Sequence, residues 1–151
     1  MISDSGLGIR ESIELLVGAF NRGSLDVPAN FLTARTTYTL NDQTYESMLG
    51  GSPDDPLIRL LARGAAGYRT AAKALQFGLQ RPLIVVESLS EPDASGMRTA
   101  SIRVEGELRE SNEPFSTVAV LRLRDIHGEL TSVDVICAEH DLARIAASRL
   151  A

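Results

Sequence analysis

Apolar residues recur every three or four positions near the start of the chain. Ile9, Ile13, Leu16, Val17 and Phe20 form the stripe of an amphipathic helix, and Gly23 stands where a left-handed residue would end it. "SLDVPANFL" then reads as a short irregular or helical link, with Asp26 as a cap and Pro28 suited to a first turn. "ARTTYTLNDQTYES" is rich in β-branched and aromatic residues around Asn41-Asp42, the pattern of a small hairpin with short strands. "GGSPDDPLIRLLARGAAGYRTAAKALQFGLQRP" opens on turn residues and an N1 proline. Its helical period puts Leu57, Leu60, Leu61, Gly64, Tyr68, Ala72, Leu75 and Leu79 on one face. Gly64, Gly67 and Gly78 lower helix propensity there, so a break is expected.

After Pro82 the pattern turns to period two or to continuous apolar runs: "LIVVESL", "RTASIRVEGELRE", "FSTVAVLRLRD" and "LTSVDVICA". "EPDASG", "SNEP" and "IHG" separate them, which predicts four strands in an antiparallel meander, and "EHDLARIAASRL" closes the chain as a short helix. No internal repeat, low-complexity segment or linker interrupts this order, so 1–151 is read as a single domain. Helix, short strands, one or two helices and four long strands define an α+β domain, its helices covering one face of a bent sheet.

Strand alternation assigns faces. Ala100, Ile102, Val104, Gly106 and Leu108 make the dry face of the second long strand. A two-residue turn at Ser111-Asn112 carries that face to Phe115, Thr117, Ala119, Leu121 and Leu123. A second one at His127-Gly128 carries it to Leu130, Ser132, Asp134, Ile136 and Ala138. On this count Asp134 points at the helices, unless an odd loop or a bulge reverses the phase. The opposite face then holds Val118, Val120, Val133, Val135 and Cys137 among Arg103, Glu105, Arg122 and Arg124. An apolar centre ringed by charges on an exposed sheet implies a partner surface, with a homodimer as the expectation. Cys137 reads as a small hydrophobe.

Composition narrows the class. At 44% hydrophobic and 23% charged, the 151 residues can bury one continuous core. A single cysteine excludes an intramolecular disulfide and lacks the thiolates of a structural zinc, so no metal and no cofactor are expected. No basic segment precedes an apolar one, and no run of about 18 apolar residues occurs, which points to a cytoplasmic chain without membrane contact. A net charge of −5 argues against nucleic acid. Arg59, Arg63, Arg69, Lys73 and Arg81 nevertheless fall in a stretch free of acids; this is read as a solvated helix face, or else as a place for an anionic group.

"GAFNRGSLDVPANFLTARTTYTL" resembles the opening of the nuclear transport factor 2-like (cystatin-like, SnoaL-like) superfamily, and "GELTSVDVICAEHDL" resembles its closing strand. The resemblance implies a strongly bent antiparallel sheet wrapped by N-terminal helices, cone-shaped around a central pocket, and often paired through its outer face. It informs fold more than function, since one fold hosts enzymes, binding modules and inert subunits. Ketosteroid-isomerase-like members use a first-helix tyrosine, which "ESIELLVGAF" lacks. Epoxide-hydrolase-like members use an Arg-x-Asp pair with a further Asp. Arg103 and Glu105 have that spacing, but by parity they point away from Asp134. Dehydratase-like members need two pocket histidines, whereas His127 lies in a turn and His140 follows the last strand. Glu139, His140 and Asp141 read as a helix start.

A carboxylate on a dry face pairs with an arginine, accepts hydrogen bonds, or serves acid and base chemistry. Two functions follow. In one, a small-molecule enzyme of isomerase, cyclase or hydrolase type uses Asp134 as the base and Tyr38, or else Tyr68, as a hydrogen-bond donor. A small apolar or carbonyl-containing ligand would then be lined by Tyr68, Phe20, Ile102, Leu121, Phe115 and Ile136. In the other, the chain is a ligand-binding or dimeric scaffold module in which Asp134 is a satisfied structural acid.

Overall fold

The computed structural model describes residues 8–28, 30–50 and 54–149. Helix α1 (Ile9–Asn21) precedes the hairpin β1 (Leu32–Leu40) and β2 (Gln43–Thr44). Three helices follow, α2 (Tyr45–Met48), α3 (Pro56–Ala62) and α4 (Gly64–Gly78), then the strands β3 (Leu79–Leu89), β4 (Met97–Leu108), β5 (Pro114–Ile126) and β6 (Glu129–Cys137), and last α5 (Glu139–Arg149). The turn residues read at 51–53 lie outside the described part. All six strands form one curled, unclosed sheet in the order β2-β1-β6-β5-β4-β3. The meander is antiparallel as expected, but β1 joins β6 in parallel, so the sheet is mixed. β1 is also longer than a small hairpin requires.

Local chemistry explains the joints. Asn41 with Asp42, and His127 with Gly128, adopt positive φ in two-residue turns, the geometry that matches sheet twist. The expected break in the long helix falls at Arg63, which is extended, and Gly64, at φ +62. A Cβ on Gly64 would stand 2.5 Å from the Thr33 carbonyl oxygen, so glycine is required there. The break turns Leu57, Leu60 and Leu61 to solvent, away from the face that Tyr68, Ala72 and Leu75 share, which corrects the single stripe expected from periodicity. Arg63 also donates to the buried Glu46 at 2.6 Å, tying α2 to the break.

Two asparagine amides act as pieces of strand. Asn21 at the end of α1 donates to the Ile84 carbonyl at 3.0 Å and accepts from its N–H at 2.8 Å. With Pro82, which has no N–H, it blocks pairing at the exposed edge of β3. Asn41 does the same for Cys137 at the end of β6, with both contacts at 2.9 Å.

One residue resets the phase of β6. Arg124 pairs with Ser132 but Asp125 pairs with Leu130, which leaves Thr131 as an extra residue, a β-bulge. β1 shifts register at the same place, between Leu32 opposite Leu130 and Thr37 opposite Ser132. The hydroxyl of the fully buried Thr36 donates to the Leu130 carbonyl at 2.6 Å and accepts from Thr33 N–H at 3.1 Å, so both shifted backbones are satisfied by one side chain. Beside it, Glu129 accepts from the Thr33 hydroxyl and from Arg35, and these contacts hold its carboxyl below the usual carboxylate range.

Two outcomes are expected. Thr36→Val keeps the shape but orphans the Leu130 carbonyl and the Thr33 amide. It should lower unfolding free energy by about 2–4 kcal/mol in urea titrations. Glu129 has a depressed folded-state pKa, so its contribution is full above the ordinary carboxylate range and is lost as pH falls through the lowered value. The stability gap between the native chain and Glu129→Gln should therefore shrink between neutral pH and about pH 3; a gap that is flat with pH would contradict this.

Candidate functional site

The bulge reverses the expected orientation of Asp134. Asp134 stands in register with Arg122 on one side and Thr39 on the other, on the outer face, and accepts from the Thr39 hydroxyl at 2.9 Å. Ile136, assigned to a ligand lining, shares that face and is 47% exposed. Val133 and Val135, assigned to a partner surface, turn inward and pack in the core. Cys137 goes with them: it pairs with the buried Ala119, and its thiol lies 3.7 Å from the Thr117 hydroxyl. The β4–β5 hairpin also differs from expectation, since its loop has four residues, Leu108 N–H donating to the Glu113 carbonyl, but an even change preserves the faces. The pattern within "SVDVIC" carried the right answer, because valines alternate there with serine and aspartate. Phase carried through two even turns gives the opposite faces, because it omits the bulge at Thr131.

The inner face holds two apolar clusters. One gathers Ile9, Phe31, Leu32, Tyr38, Ala100, Leu123, Leu130 and Val133, with Tyr45, Tyr68 and Leu121 packed on it. The other joins Leu79, Val104, Leu108, Phe115 and Ile145, with Leu75 and Ile102 alongside. Phe20 is buried under the end of α1. Ala72 on α4 and Ala119 on β5 are buried yet belong to neither cluster.

All three tyrosines of the chain meet at the first cluster. Tyr38 stacks on Tyr45, with ring centroids 5.0 Å apart. Its hydroxyl does not enter an open cavity; it donates to the Gly64 carbonyl at 2.6 Å and holds the helix break. Burial, then its two tyrosine neighbours, push the Tyr38 phenol up, and burial lifts Tyr45 to about 12. Tyr68 is likewise raised by burial, with Arg69 pulling the other way, so all three remain protonated donors at neutral pH. The Tyr68 hydroxyl is buried and has no hydrogen-bond partner among the described residues.

Several carboxylates are engaged within the chain: Asp141 accepts from Thr117 at 2.7 Å, Glu46 accepts from Arg63 at 2.6 Å, and Asp125 accepts from Arg98 at 3.3 Å. An open groove of about 570 Å3 lies along β3, β4 and β5, lined by Arg81, Leu83, Glu105, Glu107 and Ser116 together with Phe115, which the sequence assigned to a ligand lining. It is not the central apolar pocket expected from the sequence. No helix among the described residues is long and apolar enough to cross a membrane.

No protein-family model matches the sequence, and no curated protein is detectably similar to it. Solved structures do match its shape. A candidate SnoaL-like polyketide cyclase from Jannaschia sp. superposes with a TM-score of 0.65 at 13% identity, covering 97% of this chain and 94% of that one. A SnoaL-like polyketide cyclase from Agrobacterium tumefaciens gives 0.62 at 9% identity, with 91% and 97% covered. A nuclear transport factor 2-like protein of unknown function from Exiguobacterium gives 0.60 at 10% identity, with 85% and 98% covered. The chain therefore has the nuclear transport factor 2-like fold, the α+β architecture that its sequence resembled.

With Asp134 on the outer face, Asp134→Ala should cost no more than about 1 kcal/mol, the worth of the hydrogen bond to Thr39. A loss above about 3 kcal/mol, the signature of a disrupted interior, would contradict this placement.

Proposed function

We propose that the chain binds a flat, apolar small molecule bearing a carbonyl or similar acceptor oxygen, on the inner face beside the first cluster, with Tyr68 as the donor. The observation that carries this is the buried, unpartnered Tyr68 hydroxyl. A desolvated donor left unpaired costs about 1–3 kcal/mol, and an acceptor oxygen on a ligand removes that penalty. Ala72 lies one helical turn from Tyr68 on the same face of α4, so a small side chain flanks the donor. Two solved structures of similar fold are described as SnoaL-like polyketide cyclases, one of them a candidate, which lends support to a polyketide-type ligand.

Where chemistry follows binding, in an isomerase, cyclase or hydrolase, the raised phenol acts by polarising the acceptor. Asp134 lies on the far side of the sheet and has no part in it. A binding module without catalysis uses the same contact.

The test pairs 9-fluorenone with fluorene, which share a shape but differ in the carbonyl, and follows amide shifts by NMR. The native chain should prefer the ketone by roughly tenfold, and Tyr68→Phe should erase the preference. Without ligand, Tyr68→Phe should be as stable as the native chain or more so, because it removes an unpaired hydroxyl. Destabilisation by about 1 kcal/mol, or equal affinity for both probes in the native chain, would refute the proposal.

A further inference from the structure

The helical stripe of the sequence runs through Leu57, Leu61, Gly64, Tyr68, Ala72 and Leu75, yet the chain interrupts it at one joint. Two torsions make that joint: Arg63 stands at ψ 162 and Gly64 at φ +62. Two glycines admit the bend. Gly64 lets the Thr33 carbonyl approach, and a Cβ on Gly67 would lie 2.4 Å from the Ala62 carbonyl oxygen, where the end of α3 folds back on α4. The leucines gain nothing from it: Leu57, Leu60 and Leu61 are exposed, Leu60 at 67%, and Ala62 alone is buried on α3. Glycines that serve one geometry and leucines that serve another mark an element with two arrangements.

We propose, resting on Tyr68 as the ligand's donor, that α3 is a lid: when a ligand binds, the joint takes helical torsions, α3 and α4 become one helix, and Leu57 and Leu61 close over the bound molecule. At 3.6 residues per turn, a continuous helix sets these two leucines about 20° either side of Tyr68. Leu61 then lies about 10 Å along the axis from Tyr68, roughly the length of a three-ring molecule. Arg59 and Arg63 turn to the opposite side, beside the exposed Thr70 and Lys73, which makes the acid-free run of cations one solvated face.

A fastener stands on each side of the joint. The Tyr38 hydroxyl holds the Gly64 carbonyl at 2.6 Å, so α4 stays seated on β1 while α3 moves. Arg63 donates to the buried Glu46 at 2.6 Å and keeps the lid open in the free chain. A ligand beside Tyr68 supplies the apolar surface that the leucines otherwise lack.

Hydrogen exchange reads the joint. In the free chain α4 begins its bonds at Gly67 N–H, which donates to the Arg63 carbonyl at 3.1 Å, so the N–H groups of Gly64, Ala65 and Ala66 precede the ladder. Closure pairs them with the carbonyls of Leu60, Leu61 and Ala62. Saturation with 9-fluorenone should slow their exchange about tenfold beyond any change on α1. Glu46→Gln, which weakens the fastener, should slow it severalfold with no ligand present. Leu57→Ser combined with Leu61→Ser should weaken 9-fluorenone binding about fivefold, whereas Leu15→Ser, an exposed leucine on α1, should leave it unchanged. Bound 9-fluorenone that leaves the three amides as they were, or serine variants that bind like the native chain, would overturn the lid. If 9-fluorenone does not bind, the reading of Tyr68 falls, and exchange in Glu46→Gln decides the joint by itself: slower rates support two arrangements, and unchanged rates overturn them.

Discussion

The carbonyl oxygen of Leu130 is the point on which this molecule turns. At that residue β6 changes register against both of its neighbours, and such a change leaves backbone groups that neither ladder can satisfy. Thr36, fully buried, supplies the missing donor and accepts from Thr33 in return. Because the side-chain period of a strand is two, one extra residue there moves every later side chain of β6 to the other face. Val133, Val135 and Cys137 go inward, and Asp134 and Ile136 go outward. The composition of the core and of the outer surface both follow from this bulge.

Burial then sorts chemistry between the two faces. Inside, the polar groups are phenols, hydroxyls and a thiol, and the acids that approach are already held by partners. Desolvation keeps the phenols protonated, so the interior offers donors rather than a base. Outside, valines and an isoleucine lie among arginines and acids. Tyr38 shows how a residue with evident chemical capacity becomes structural: its hydroxyl is spent on the Gly64 carbonyl at the helix break.

Asparagine does similar work at two distant places. Asn21 and Asn41 each present an amide whose donor and acceptor have the spacing of a peptide group, and each closes a stretch of strand the sheet leaves open. One fastens α1 across the edge of β3, the other fastens the first hairpin to the end of β6. Covering open strand ends in this way lets a curled sheet remain unclosed without offering a template for pairing.

Periodicity alone determined the elements: the first helix with its Gly23 terminator, the broken long helix, the four-strand meander and the closing helix are local patterns, set by which residues can bury one face. The α+β class followed from their order. Parity on β4 and β5 was equally legible, because the loop between them changed length by an even number. Tertiary structure alone decided the phase of β6, the parallel seat of β1 and the exposure of Leu57, Leu60 and Leu61. It also left Tyr68 as the one phenol whose hydroxyl is buried without a partner among the described residues. The bulge in β6 and the helix break each depend on a backbone group meeting a partner distant in sequence, as Leu130 meets Thr36 and Gly64 meets Tyr38. Such meetings leave no period in the chain by which to read them.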